Sequence, residues 1–212
     1  MKKKIRIPIV LIILIIIFII VVINIVNKNS KQVDKQLLKN EYNKLLSMQS
    51  YQFTKEKDSK NKTIVVKKGI DTSIDSYSNG NHTTTIIKDE KTYYILHDRE
   101  EYYIYNSSNV ENTIVTDWIK DIMDKEHSNG IEKIRGRKLE YEEYSGLTMF
   151  AENTTLNENE SQIRTRFYFD KIGDLAFIKT IYSDSQEEIQ RIEISSEINE
   201  KLFNIPSTYA EN

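Results

Sequence analysis

The chain has 212 residues, with Lys+Arg 30 against Asp+Glu 32, a net charge of −2 and no cysteine. A charge balance this even leaves no electrostatic footprint for nucleic acid, and the lack of cysteine excludes disulfides, thiolate catalysis, Cys-ligated zinc, iron–sulfur clusters and a lipid-modified N-terminal cysteine. Apolar residues recur throughout and Pro and Gly are few, so the chain is not a disordered one and is long enough for one domain with its own core. The Ile, Asn and Lys bias is that of proteins from AT-rich bacterial genomes.

The N-terminus carries the strongest signal. From Ile7 to Val26 only Pro8 and Asn24 interrupt an apolar run. At 1.5 Å rise per residue, about 20 such residues cross a hydrocarbon core of about 30 Å. Lys2, Lys3, Lys4 and Arg6 precede the run with no acid among them, which places the N-terminus in the cytoplasm. A cleaved signal peptide has an apolar stretch of about 7–15 residues ending in small residues, whereas the first alanine of this chain is Ala151. The expected organisation is a cytoplasmic tail over 1–6, a transmembrane signal anchor over 7–26, a linker over 27–32 and an extracytoplasmic domain over 33–212. The expected location is the cell membrane, single-pass, with the C-terminal domain outside.

After the linker, Val33, Leu37, Glu41/Tyr42, Leu45 and Met48 recur at helical spacing, with Leu38 and Leu46 widening the stripe. From Ser50 to Tyr105 the period changes to two. YQFTKEKD, KTIVVKKG, IDTSIDSYSNG, HTTTIIKDE, KTYYILHD and EEYYIYN are short runs rich in β-branched and aromatic residues, separated by Asp-Ser, Lys-Gly, Ser-Asn-Gly and Lys-Asp-Glu turns. A second amphipathic helix follows, with Ile114, Val115, Trp118, Ile119, Ile122 and Met123 on one face and Asn129-Gly130 as its expected stop. Strand patterns resume in IEKIRGRKLEYEEYS, LTMFAENTT, QIRTRFYFDK, LAFIKTIYSD and EEIQRIEIS, divided by an acidic loop at 152–160 and a Lys171-Ile-Gly-Asp174 turn. About six strands, a helix and about five further strands make one large antiparallel sheet, which must curl or split to hide its apolar face. Two amphipathic helices are the natural cover.

In KTYYILHDREEYYIY, Lys91 to Tyr105, an even-length loop puts Tyr93, Ile95, Tyr102 and Ile104 on one face, and Tyr94, Leu96, Tyr103 and Tyr105 on the other. Loop parity leaves open which face is inner.

This order of elements resembles the LolA-like lipoprotein-carrier superfamily. The resemblance is carried by the first helix (Leu37 to Met48), the aromatic hairpin (Tyr93 to Tyr105), the second helix (Ile114 to Met123), the late hairpin FYFDKIGDLAFIKTIYSD and the closing phrase Phe203-Asn-Ile-Pro-Ser-Thr-Tyr209. It implies an α+β fold: after the transmembrane helix, a curved, incomplete antiparallel β-barrel of about 10–11 strands covered by two amphipathic helices. It also implies a lipid or acyl-chain ligand in the concave face, lined by Tyr94, Leu96, Tyr103, Trp118 and Ile122.

Other chemistry finds little support in the residues. Asp117, Asp121 and Asp124 lie on an exposed helix face beside Lys120 and Lys125, short of the six to eight converging oxygens calcium takes. His82, His97 and His127 have no partner at i+3 or i+4, so spacing offers no zinc site. No nucleophile elbow, P-loop or Gly-rich dinucleotide fingerprint occurs. Glu142/Glu143 and Glu187/Glu188 are adjacent pairs whose members point to opposite faces of a strand, so neither pair converges on one substrate. Arg135, Arg137 and Lys138, like Lys67-Lys68, read as charges that guard a sheet edge. The expectation is a membrane-tethered, non-enzymatic binding protein with no cofactor and no metal. The alternative is an envelope sensor or protein-interaction module with no small-molecule ligand.

Overall fold

The computed structural model describes residues 36–106, 115–146 and 163–212. The expected cytoplasmic tail, transmembrane anchor and linker lie outside them, as do Val33, Ile114 and the acidic loop at 152–160. Among the described residues no helix is long and apolar enough to cross a membrane.

Helix α1 (Leu37–Ser47) buries Leu38, Glu41 and Leu45, a spacing of three and four that faces one side. Its N-cap residue, Gln36, makes no side-chain cap. A strand residue caps the helix instead: buried Glu142 accepts hydrogen bonds from the Leu37 amide, from the Leu38 amide at 3.2 Å and from the Tyr144 hydroxyl at 2.9 Å. A carboxylate at this end satisfies orphan N–H groups and complements the helix dipole.

Six strands follow: β1 (Ser50–Asp58), β2 (Asn61–Lys68), β3 (Asp71–Ser78), β4 (Asn81–Lys88), β5 (Lys91–Leu96) and, after a 3₁₀ turn over His97–Arg99, β6 (Glu101–Asn106). Two-residue turns join β1 to β5 in sequence. At Asn79-Gly80 both φ angles are positive, 51° and 94°, the conformation that a hairpin turn of this length requires and that Asn-Gly adopts most readily. Helix α2 (Val115–Ile122) leads to β7 (His127–Ile134), β8 (Arg137–Ser145), β9 (Arg164–Phe169), β10 (Leu175–Ile181) and β11 (Glu187–Ser195). A 3₁₀ turn at Glu200–Phe203 and the two-residue β12 (Ala210–Glu211) close the chain. Asn129-Gly130 does not stop the second helix. Both residues lie inside β7, where Gly130 sits opposite Tyr141 and leaves room for its ring.

The expected incomplete barrel of about 10–11 strands under two covering helices is not the architecture. Among the described residues the strands form one open twelve-stranded sheet, in the order β12-β6-β5-β4-β3-β2-β1-β11-β10-β9-β8-β7. The physical reason lies in the topology and in how each face is covered. Two meanders, β1–β6 and β7–β11, join through the β1–β11 pair, so β12 and β7 end the sheet at opposite edges. The sheet buries apolar residues on both of its faces. On one face, Leu38, Leu45, Ile119 and Ile122 of the helices pack with Tyr51, Phe53, Val65, Phe167, Phe169, Ile178 and Ile192, each large side chain contributing about 1.5–3 kcal/mol when fully buried. On the other face, Ile134, Leu139, Tyr168 and Phe177 form a smaller cluster.

The C-terminal segment covers part of that second face. The Ser73 hydroxyl donates to the Leu202 carbonyl at 2.6 Å and Lys88 Nζ to the Phe203 carbonyl at 3.3 Å. Ile86 and Ile95 on this face are fully buried. Strand β12 then adds to the β6 edge in parallel, with the Ala210 amide donating to the Glu100 carbonyl at 2.9 Å and the Asn212 amide to the Tyr102 carbonyl at 3.0 Å.

Candidate functional site

The tyrosine hairpin is positioned by register. Tyr94 pairs with Tyr103 and Ile95 with Tyr102, so the tyrosines divide between the two faces. Phe53, Val65, Ile74, Thr85, Tyr94 and Tyr103 are successive partners across β1 to β6. They form one row on the side that α1 and α2 cover. At the β1–β3 end the row belongs to the helix-covered core. At the β5–β6 end it comes out to solvent: Tyr94 is 37% exposed and Tyr105, next on the same face of β6, 51%, with Leu96, Tyr103 and Ile87 half-buried beside them. Tyr103 turns its hydroxyl to Glu101 at 3.4 Å.

Of the residues expected to line a ligand cavity, Tyr94, Leu96 and Tyr103 therefore share this aromatic face. Ile122 is fully buried in the helix–sheet core. Trp118 falls within α2, but its side chain lies outside the described residues.

The opposite face of the same hairpins carries a polar cluster. Asp75 of β3 is buried and accepts hydrogen bonds from the Thr84 hydroxyl at 2.6 Å and from His82 Nε2 at 2.8 Å. Thr84 Oγ1 lies 2.8 Å from His97 Nε2, and His97 Nδ1 lies 3.1 Å from the Tyr209 hydroxyl. Since the Thr84 proton goes to Asp75, the neutral His97 ring donates from Nε2 to Thr84 and accepts at Nδ1 from Tyr209. Tyr77, His82 and His97 stack at centroid distances of 4.0 and 3.7 Å. Burial, then the neighbouring His82, pushes the His97 pKa down. Helical spacing cannot reveal this cluster, but hairpin symmetry does. Asp75 and Thr84 are cross-strand partners about the Asn79-Gly80 turn, and His82 and His97 lie equally far on either side of Asp89-Glu90 in the β4–β5 register.

The remaining charged groups are placed structurally. Glu143 pairs with Arg166 on the face opposite the Glu142 cap. Glu187 pairs with Lys179 at 2.9 Å and Glu188 with Lys57 at 3.0 Å, so neither acidic pair converges. Asp124 pairs with Lys39 at 2.9 Å, and Asp117's side chain lies outside the described residues. The Arg135 and Arg137 guanidinium groups each lie 5.8 Å from the Phe177 ring. Glu132 takes hydrogen bonds from Arg166 at 2.6 Å, Tyr168 at 2.6 Å and Lys179 at 3.1 Å. Burial alone would raise its pKa, but these three donors hold it down to about 2.

No protein-family model matches the chain, and no curated protein matches it in sequence. Solved structures similar to it include an uncharacterized conserved protein from Thermus thermophilus, at 10% identity and a TM-score of 0.49 over 84% of this chain and 97% of that one. Another is the lipoprotein LppX of Mycobacterium tuberculosis, at 13% identity and a TM-score of 0.45 over 78% of this chain and 98% of that one.

Proposed function

We propose that the chain is a membrane-tethered, extracytoplasmic, non-enzymatic binding protein that takes an acyl chain of a lipid on the aromatic face of β4–β6. The observation that carries this reading is the cross-sheet row that leaves the helix-covered core at Ile74 and continues through Thr85 to Tyr94 and Tyr103, with Tyr105 on the same face of β6. Half-exposed aromatic rings beside Leu96 and Ile87 offer an apolar strip with polar hydroxyl tips, suited to an acyl chain below a headgroup. Each methylene buried there contributes about 0.8 kcal/mol, so a long chain binds without a charged site. The tether rests on the apolar run of residues 7–26 and the basic cluster before it.

A second reading, a protein-interaction module, is favoured by the β7 edge. Among the described residues that strand ends the sheet, with Ile131 exposed, and an edge strand is a template for another chain.

Photocrosslinking with a diazirine-bearing phospholipid, applied to the full chain in membranes and mapped by peptide, separates the two. Labels on 83–105 as well as on 7–26 support acyl binding. Labels confined to 7–26, with protein crosslinks at 127–134, support the module instead.

A further inference from the structure

We propose that Asp75, His82 and His97 form a binding site for one divalent transition-metal ion of the zinc, copper and nickel class, on the sheet face opposite the aromatic row. The convergence is geometric: one ligand atom from each residue falls within 4.8 Å of the others. Two imidazole nitrogens and a carboxylate oxygen suit borderline metals, where calcium and magnesium take oxygen alone.

The charge balance points the same way. The Asp75 side chain is only 3% exposed, and its ion-pair partner is His82, a cation only when protonated. A buried carboxylate needs a compensating positive charge. A divalent ion bound here would supply that charge directly.

The outer contacts are also those of a ligand set. A metal-bound histidine almost always donates its second ring N–H to a fixed partner. If His97 binds through Nε2, its Nδ1 becomes a donor, and the Tyr209 hydroxyl already stands 3.1 Å away. The Thr84 hydroxyl bonds both Asp75 and His97 Nε2 and must give up both contacts when an ion takes that position.

A second rearrangement is also required. The His82 and His97 rings are stacked, 3.7 Å apart and tilted by 8°, and an ion must lie near the plane of each ring that binds it. Two parallel rings cannot satisfy this together. His82, a quarter exposed and second in β4, must turn out of the stack, which also breaks its contact with Tyr77.

The test is calorimetric titration of the full chain in detergent, without a histidine tag, using zinc and then cobalt. The expected result is one ion per chain. Asp75→Asn and His97→Ala should each weaken binding at least about a hundredfold, Tyr209→Phe should weaken it about tenfold, the lower end for loss of an outer partner, and His127→Ala should leave it unchanged. No stoichiometric ion on the unaltered chain, or affinity indifferent to Asp75→Asn and His97→Ala, overturns the proposal. Because Asp75→Asn removes a buried partner, X-ray absorption at the zinc edge of the unaltered chain is decisive where a variant fails to fold. Scattering from two imidazoles supports the site, and from none or one rejects it.

Discussion

The carboxylate of Glu142 in β8 accepts from the Leu38 amide at 3.2 Å, across 104 residues of chain. Helix α1 is thereby capped by the sheet it covers. Replacing Glu142 by Ala leaves the first turn's N–H groups buried and unpaired, and should lower unfolding free energy by about 2–3 kcal/mol. Glu142→Gln, which keeps an acceptor but loses the charge, should cost about 1 kcal/mol. Urea denaturation followed by far-UV circular dichroism measures both.

Glu132 stabilises the fold in a definite pH window. Its pKa is about 2 against an ordinary 4.5, so its contribution is complete above 4.5 and is lost as pH falls from there towards 2. A shift of that size corresponds to about 3 kcal/mol at about 1.36 kcal/mol per unit. With the side chain 32% exposed, screening reduces this to about 2 kcal/mol. Glu132→Gln should be less stable than the unaltered chain at neutral pH, and the two should converge in acid.

Glu41 has the opposite sign. It is buried in α1 and accepts from the Leu175 amide at 3.3 Å. Burial raises its pKa above 4.5, against the pull of Lys44. Its folded form favours the proton, so stability falls as pH rises from 4.5 through the raised value. Glu41→Gln should therefore raise the thermal midpoint at neutral pH and lose that advantage in acid. Lys44 keeps its partner Asp174 at 2.6 Å in either case.

Gly130 is required by a neighbour, since its own φ is ordinary. A Cβ there would stand 2.4 Å from the tip of the Tyr141 ring, and that ring is held under the Arg166 guanidinium at 4.6 Å. Gly130→Ala should cost about 1–3 kcal/mol, as overpacking does, and Tyr141→Leu in the same chain should recover part of it.

Those particular residues show what could be read from the chain and what could not. The two-residue turns and alternating strands are local, and so is the parity that divides the tyrosines between faces; the β5–β6 register places Tyr94 opposite Tyr103. The pairing of β1 with β11 is not local, because no short-range pattern links Phe53 to Ile194, and the open sheet follows from that pairing. The C-terminal cover was also hidden: Leu202 and Phe203 act through backbone carbonyls, which any residue supplies. The His82–His97 stack was legible only by counting outwards from Asp89-Glu90, a cross-strand symmetry that helical spacing misses.

The central claim is that the Tyr94–Tyr103 face holds an acyl chain. Native mass spectrometry of the full chain, purified in detergent and released under gentle activation, tests it most directly when the unaltered protein is compared with Tyr94→Asp/Tyr103→Asp. Retention of one acyl lipid by the unaltered chain, lost in the double variant while its circular dichroism is unchanged, is the predicted result. Equal lipid retention by both proteins, or none by either, would contradict the account.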